Sequence, residues 1–406
     1  MPWYREITRA QWNTLIAAQA AWMLVAMDVL LYPFALTTLK AVFGMDNAAA
    51  GLLASASLIS SAAGGIGFGV IADRIGRKRA LMLTILIFSL GSAGAATART
   101  VWELIVWRTM IGIGWGGEWT CGSVLVAETW PAEHRGKALG VMSSGWSLGY
   151  IAAAVVTAVV LPVWGWRALF ALGGLPALLT IFVWRAVPEP VIWQRRSAPV
   201  WREATRIFQR PLLRTTLVAT SLTTSVLLAY WGLFTWLPGF LSTPVERGGA
   251  GLSIVRSSAW IVPVQAGAFL GYLIFGFNAD RIGRRPIFVI YTLAAAALVP
   301  IYGQMARNQT ALLALGPAVG FFGTGFFGLF GALLAELYPT AIRGVGQGFT
   351  YNAGRALSAL SPYLVGALAD RGGLGSALAV TSAFFTLGAI LVWFLPETRG
   401  RDLTAQ

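Results

Sequence analysis

Gly69-Val-Ile-Ala-Asp73-Arg74-Ile-Gly76-Arg77-Lys78 follows one long apolar stretch, and Gly276-Phe-Asn-Ala-Asp280-Arg281-Ile-Gly283-Arg284-Arg285 follows another, 207 positions later. Two further pairs keep this register. Glu128-Thr-Trp-Pro131-Ala-Glu-His-Arg135-Gly136 is matched at an offset of 208 by Glu336-Leu-Tyr-Pro339-Thr-Ala-Ile-Arg343-Gly344, and Pro188-Glu189 is matched at 208 by Pro396-Glu397. Three registers that agree within one residue make the chain a tandem duplication. Both copies run in the same orientation.

The stretches around these loops set the solvent. Of 406 residues, 57% are hydrophobic and only 11% are Asp, Glu, Lys or Arg. A soluble domain carries about 25% charge, so this chain lies mostly in lipid. A membrane helix needs about 20 apolar residues. Twelve runs qualify, at 13–39, 48–72, 80–98, 101–127, 138–161, 166–187, 214–241, 255–279, 286–304, 309–336, 346–369 and 375–395. The expected fold class is an all-α membrane protein, with a six-helix bundle at 1–190, a basic cytoplasmic linker at 191–213 and a second six-helix bundle at 214–406. Residues 1–11 offer no small-residue cleavage site before the first run, so that run is expected to be retained as a span.

Charge gives the orientation. With the N-terminus placed in the cytoplasm, 21 of the 30 lysines and arginines fall in inner segments or at the run ends beside them and six in outer segments or at the run ends beside them; Arg108, Arg256 and Arg355 are counted within runs. This positive-inside asymmetry puts both termini in the cytoplasm. It also accounts for the net charge of +14 without a nucleic-acid partner, because the cations sit in short loops and not on one soluble face. The partner is the bilayer of the cytoplasmic (inner) membrane. One cysteine, Cys121, and one histidine, His134, allow neither an intramolecular disulfide nor a structural zinc. The glycine-rich segments at 64–69 and 112–117 lie inside apolar runs, where glycine serves helix packing and not phosphate binding. No nucleotide-binding loop, cofactor motif or nucleophile–base set is present, which argues against an enzyme.

Parallel repeats of six spans are how one large transporter architecture is built. The two Gly-x-x-x-Asp-Arg-x-Gly-Arg-(Lys/Arg) loops, with Arg108-x-x-x-Gly112-x-Gly114-x-Gly116, resemble the major facilitator superfamily across nearly the whole chain. Gly116-Gly-Glu118-Trp with Glu128-Thr-Trp-Pro131, Pro162-Val-Trp-Gly-Trp-Arg167-Ala-Leu-Phe170 and Tyr230-Trp-Gly-Leu-Phe-Thr-Trp-Leu-Pro238 are similar to the sialate and metabolite:proton symporters. The aromatic-acid:proton symporters share several of these stretches. The resemblance implies proton-driven symport of an organic anion, a monocarboxylate or sialic acid, by alternating access. Protons are then the coupling ion, no cofactor is needed, and a monomer suffices. The fifth run lacks the Gly-Pro pair of drug:proton antiporters, and the seventh lacks the Gln-Gln pair of sugar porters. Other readings stay open: an aromatic-acid or sugar transporter, an uncoupled facilitator, or a membrane nutrient sensor that binds without transporting.

Ionisable groups inside lipid are costly and mark function. Asp28 lies about 15 residues from the inner start of its run, and Arg108 lies seven from the outer start of its own. At about 1.5 Å per residue the two share a height in the outer half. Asp28 is expected to be the proton-coupling carboxylate, with Arg108 as its ion-pair partner. Glu118 and Arg355 both reach the midplane. The planar fork of Arg355 suits a carboxylate, with Asn352 and Tyr351 on the same face. Glu118 would contact substrate or hold a second proton. Tyr32, Trp115, Trp119 and Tyr230 are candidate cavity residues.

The repeated loops are expected to gate the cytoplasmic face. Gly69 would let a neighbouring helix approach, Asp73 and Asp280 would face helix N-termini, and Arg74, Arg77, Arg281 and Arg284 would complete the latch. Glu128, Arg135, Glu336 and Arg343 belong to the same clusters.

Overall fold

The structure is a computed structural model that describes residues 6–190, 205–339 and 343–398; of the linker expected at 191–213, residues 191–204 lie outside the described residues. Among the described residues the ordered structure is entirely helical. In the first half run α1 (Arg9–Phe43), α2 (Asn47–Ile75), α3 (Arg77–Ala95), α4 (Val101–Thr129), α5 (Ala132–Leu172) and α6 (Leu179–Ala186). In the second run α7 (Leu212–Ser242), α8 (Ile254–Ile282), α9 (Arg284–Gln304), α10 (Gln309–Thr324), α11 (Phe327–Glu336), α12 (Arg343–Ser358), α13 (Leu360–Gly372), α14 (Leu374–Leu378) and α15 (Thr381–Leu391).

These helices fill the twelve expected spans, with local breaks. The fifth and sixth spans part at Gly165, where φ is 75° inside α5. The sixth continues through a 3-10 turn at Leu175–Leu178 into α6. The tenth span divides into α10 and α11. The eleventh divides before α13, whose first turn holds Pro362, where a missing amide costs nothing.

The chain separates into two compact units, Met1–Phe43 with Ala56–Ser197, and Gly44–Ser55 with Ala198–Gln406. The start of α2 thus belongs with the second unit, a departure from a division at the linker alone. The reason is local. Asp370 Oδ1 accepts from the Asn47 amide at 3.1 Å and from Asn47 Nδ2 at 2.6 Å, and Oδ2 accepts from the Ala48 amide at 3.0 Å. A carboxylate so placed answers the orphan donors and the positive end of the helix. Glycines at 51 and 366 let the two backbones meet, since a Cβ at either would lie 2.4 Å or less from a carbonyl oxygen of the other segment.

The duplication extends to packing. In the first unit a Cβ on Gly112 would meet the Ser57 carbonyl oxygen at 2.3 Å, and one on Gly64 would meet that of Ile113 at 2.2 Å. In the second unit a Cβ on Gly320 would meet the Val264 carbonyl oxygen at 1.8 Å, and one on Gly271 would meet that of Phe321 at 2.4 Å. Each second-unit residue stands 207 or 208 positions after its counterpart. Even the caps repeat: Thr100 accepts from the Glu103 amide at 3.2 Å to start α4, and Asn308 accepts from the Ala311 amide at 3.1 Å to start α10. Without a hydrophobic drive between helices in lipid, such close backbone approach is what holds a bundle together. We expect Gly112→Leu and Gly320→Leu each to lower the thermal unfolding temperature in detergent, by overpacking worth about 1–3 kcal/mol or more. A variant that unfolds like wild type would show the crossing to be slack.

Candidate functional site

In the first unit Asp28 is wholly buried, at 0% exposure. The Ser92 hydroxyl on α3 donates to its Oδ1, while Oδ2 meets no hydrogen-bond partner among the described residues. The same Ser92 oxygen lies 3.1 Å from the Phe170 carbonyl near the end of α5. A Cβ on Gly173 would fall 2.1 Å from Ser92 Oγ and 2.3 Å from Asp28 Oδ1, so that wall of the site exists only because residue 173 has no side chain.

Arg108 does not form the expected direct pair. Among the described residues no ion pair joins it to Asp28, and its Nε and Nη1 meet no hydrogen-bond partner. Its guanidinium lies over the Tyr32 ring, 4.5 Å from the centroid. Tyr32 is one turn beyond Asp28 on α1, and its ring takes the cation while Ser92 takes the carboxylate. A cation–π contact of this sort contributes about 0.5–2 kcal/mol. Arg108 stays within electrostatic range of Asp28.

Glu118 is also at 0% exposure, and neither of its oxygens meets a hydrogen-bond partner among the described residues. Oε1 sits 3.3 Å from where a Cβ on Gly122 would lie, a point also near Met142 Cε and Ala18 Cβ. The carboxylate therefore lies where α4 meets α1 and α5. Trp115 stacks on Trp146 with centroids 5.9 Å apart, and Trp146 packs on Trp22 at 4.9 Å. Trp119 is half-buried. Along α4, Gly112 faces α2 and Trp115 faces α5.

In the second unit Arg355 on α12 is buried at 2% exposure, with its guanidinium 4.8 Å from the centroid of the Tyr351 ring one turn earlier. Asn352 is buried and donates its side-chain amide to the Gly348 carbonyl at 3.0 Å. Tyr230 is buried among Trp231, Phe234 and Phe327, with centroids 4.8–5.3 Å away, so it belongs to an aromatic core.

The repeated loops form one charge cluster in each unit. Gly76 and Gly283 take φ of 101° and 113°, which a side chain would resist, and so turn the chain into α3 and α9. Glu189 accepts from the Arg77 and Lys78 amides at the start of α3. Glu397 accepts from the Arg284 and Arg285 amides at 3.0 and 3.1 Å. Arg77 grips Glu128 with two bonds at 3.0 and 3.1 Å, and Arg284 reaches Glu336 at 3.3 Å. Thr398 donates to the other oxygen of Glu336. Arg74 is exposed. The side chains of Asp73, Arg135, Asp280, Arg281 and Arg343 lie outside the described residues. Gly69 is not a point of close approach: a Cβ there would meet only Thr120 Cγ2, at an ordinary 3.7 Å. Close approach falls five residues earlier, at Gly64.

Sequence reasoning missed Ser92, Gly173, Trp22 and Trp146. None belongs to a motif, and serine, glycine and tryptophan in an apolar run read first as packing. The capping role of Glu189 and Glu397 was signalled by the shared Pro-Glu register but not by any chemistry of the pair alone.

A family model described as Major Facilitator Superfamily matches residues 20–255 and 249–405. The cis,cis-muconate transport protein of Acinetobacter baylyi is 31% identical over 91% of this chain and 91% of its own. The sialic acid transporter NanX of Escherichia coli is 29% identical over 97% of this chain and 96% of its own. Among solved structures, the crystal structure of a D-xylose-proton symporter superposes with a TM-score of 0.79 at 20% identity, covering 97% of this chain and all of the other; this likeness bears on the fold. Duplicated six-span units, matched loops and whole-length relatives together place this chain in the major facilitator superfamily of membrane transporters, and it is a transporter, not an enzyme.

Proposed function

We propose that the protein takes up an organic anion by proton symport, through alternating access. It works as a monomer in the cytoplasmic membrane with both termini inside, and the proton is its only coupling ion. The observation that carries this reading is a pair of buried charges of opposite sign: a carboxylate in one unit, Asp28, and a guanidinium in the other, Arg355. Burying ions in a membrane protein is expensive and is kept where they do work. Asp28 holds and releases the coupling proton under the influence of Arg108. Arg355 binds the substrate carboxylate through its planar fork, with Asn352 and Tyr351 beside it. Glu118, enclosed by Met142 and Ala18, is a second proton-bearing carboxylate. The names of the muconate and sialic acid relatives support an acid as cargo. The paired clusters at Arg77–Glu128 and Arg284–Glu336 hold the cytoplasmic ends of the units.

Uptake of labelled sialic acid and of cis,cis-muconate into proteoliposomes, with and without an imposed pH gradient, tests this. Accumulation above the outside concentration, abolished when the gradient is collapsed, is the expected result. Flux indifferent to the gradient would make the protein a facilitator, and binding without flux would make it a sensor.

Gly173 supplies a more specific prediction. We expect Gly173→Ala to cut gradient-driven uptake at least tenfold with little change in the amount of folded protein. The added methyl would overlap both Ser92 Oγ and Asp28 Oδ1, and overpacking of this kind costs about 1–3 kcal/mol. Uptake at the wild-type rate would show that the site yields without consequence.

A further inference from the structure

Ser92 is fully buried on α3, and its oxygen is within reach of two acceptors at once, Asp28 Oδ1 and the Phe170 carbonyl. A serine hydroxyl has one hydrogen to give and two lone pairs that accept. It can therefore satisfy one of these neighbours at a time. When Asp28 is ionised, its carboxylate is the stronger acceptor, because a bond to a charged group is about twice as strong as a neutral one. The hydrogen of Ser92 then points at Asp28. When Asp28 carries a proton on Oδ1, that O–H donates to Ser92 Oγ, and the Ser92 hydrogen turns to Phe170. A proton on Oδ2 instead would face no acceptor among the described residues, which leaves a buried donor unsatisfied.

We propose that Ser92 is a positioning residue that relays the protonation state of Asp28 to the end of α5. No covalent bond of the serine breaks; when one proton arrives at Asp28 the bond between Asp28 and Ser92 reverses direction and the Ser92 hydrogen moves to the Phe170 carbonyl. The receiving end is suited to respond. The Phe170 carbonyl already accepts from the Gly173 amide at 3.0 Å, and the chain continues through Gly173 and Gly174 into the 3-10 turn at Leu175–Leu178. Strengthening or releasing the bond at Phe170 changes how firmly that turn is held. Gly173 keeps both acceptors close to Ser92 by having no side chain. Among the described residues the charged group that acts on Asp28 is Arg108 from α4, whose guanidinium lies over the Tyr32 ring on α1 itself. From α3 comes the Ser92 hydroxyl, and at the end of α5 the Phe170 carbonyl and Gly173 lie beside it.

The relay rests on Asp28 being the coupling carboxylate, and its test separates the two ideas. Protein reconstituted into liposomes, with no substrate, is titrated and followed by infrared difference spectroscopy as wild type, Ser92→Ala, Ser92→Thr and Asp28→Asn. Asp28→Asn should delete one protonated-carboxyl band. Ser92→Ala should shift that band and its titration midpoint, and Ser92→Thr, which keeps the hydroxyl, should restore both. A second measurement uses amide hydrogen exchange of the segment 171–178. Asp28→Asn should alter its protection in the wild-type background and leave it unaltered in the Ser92→Ala background. A band and midpoint unmoved by Ser92→Ala, or an equal exchange response in both backgrounds, overturns the relay. Survival of every carboxyl band in Asp28→Asn overturns instead the assignment of Asp28 as the titrating group.

Discussion

Arg355→Ala should abolish measurable binding of the anion to the purified protein. Removing one partner of a buried, hydrogen-bonded charge pair costs about 2–5 kcal/mol, at least about thirtyfold in dissociation constant. Arg355→Lys keeps the charge and loses the planar fork, so it should weaken binding about tenfold and leave some affinity. The measurement is equilibrium titration with sialic acid and cis,cis-muconate, beside thermal unfolding. The unfolding control matters because Arg355 also lies over the Tyr351 ring, and its loss removes that packing too. Tyr351→Phe keeps the ring and should bind nearly as wild type, which separates a packing role from a ligand role. Unaltered affinity in a folded Arg355→Ala protein would sink the clamp, and would move the search for the anion site to Arg108.

Much of this molecule is legible before any coordinates. The registers at Gly76 and Gly283, Glu128 and Glu336, and Glu189 and Glu397 state the duplication, and the structure repeats it down to single carbonyl contacts at Gly112 and Gly320. Interior ions stand out because lipid tolerates so few of them. What the chain does not spell out is azimuth. The rise along a helix places Asp28 and Arg108 at one height, but height alone does not say which face each presents. An ion pair was the natural expectation, and the structure instead lays Arg108 over Tyr32 and turns Asp28 to Ser92. Ser92 and Gly173 are invisible in sequence for a related reason. Small residues are everywhere in packed membrane helices, and only coordinates single out the two that touch a carboxylate. The start of α2 is a third case. Asp370 belongs to no repeated motif, yet it caps a helix more than 300 positions away in sequence.

Asp28→Asn should separate coupling from transport. Asparagine keeps the shape of aspartate and can donate its side-chain amide to Ser92 Oγ as a protonated aspartate would, so the site should stay packed and the anion should still exchange across the bilayer. It binds no proton, so the pH gradient has nothing to act on through this residue. An imposed gradient of about one pH unit is worth about 1.4 kcal/mol per proton, about tenfold accumulation for an electroneutral one-proton symporter. Wild type should approach that ratio, and Asp28→Asn should settle at equal concentrations inside and out. Exchange of labelled for unlabelled substrate at equilibrium should continue in the variant, and its rate should lose most of its dependence on pH. Both assays use the same proteoliposomes, so a loss of both would indicate a damaged protein and not an uncoupled one. Accumulation that persists in Asp28→Asn and still follows the pH gradient would remove Asp28 from the mechanism and leave Glu118, the other carboxylate at 0% exposure among the described residues of that unit, as the group that carries the proton.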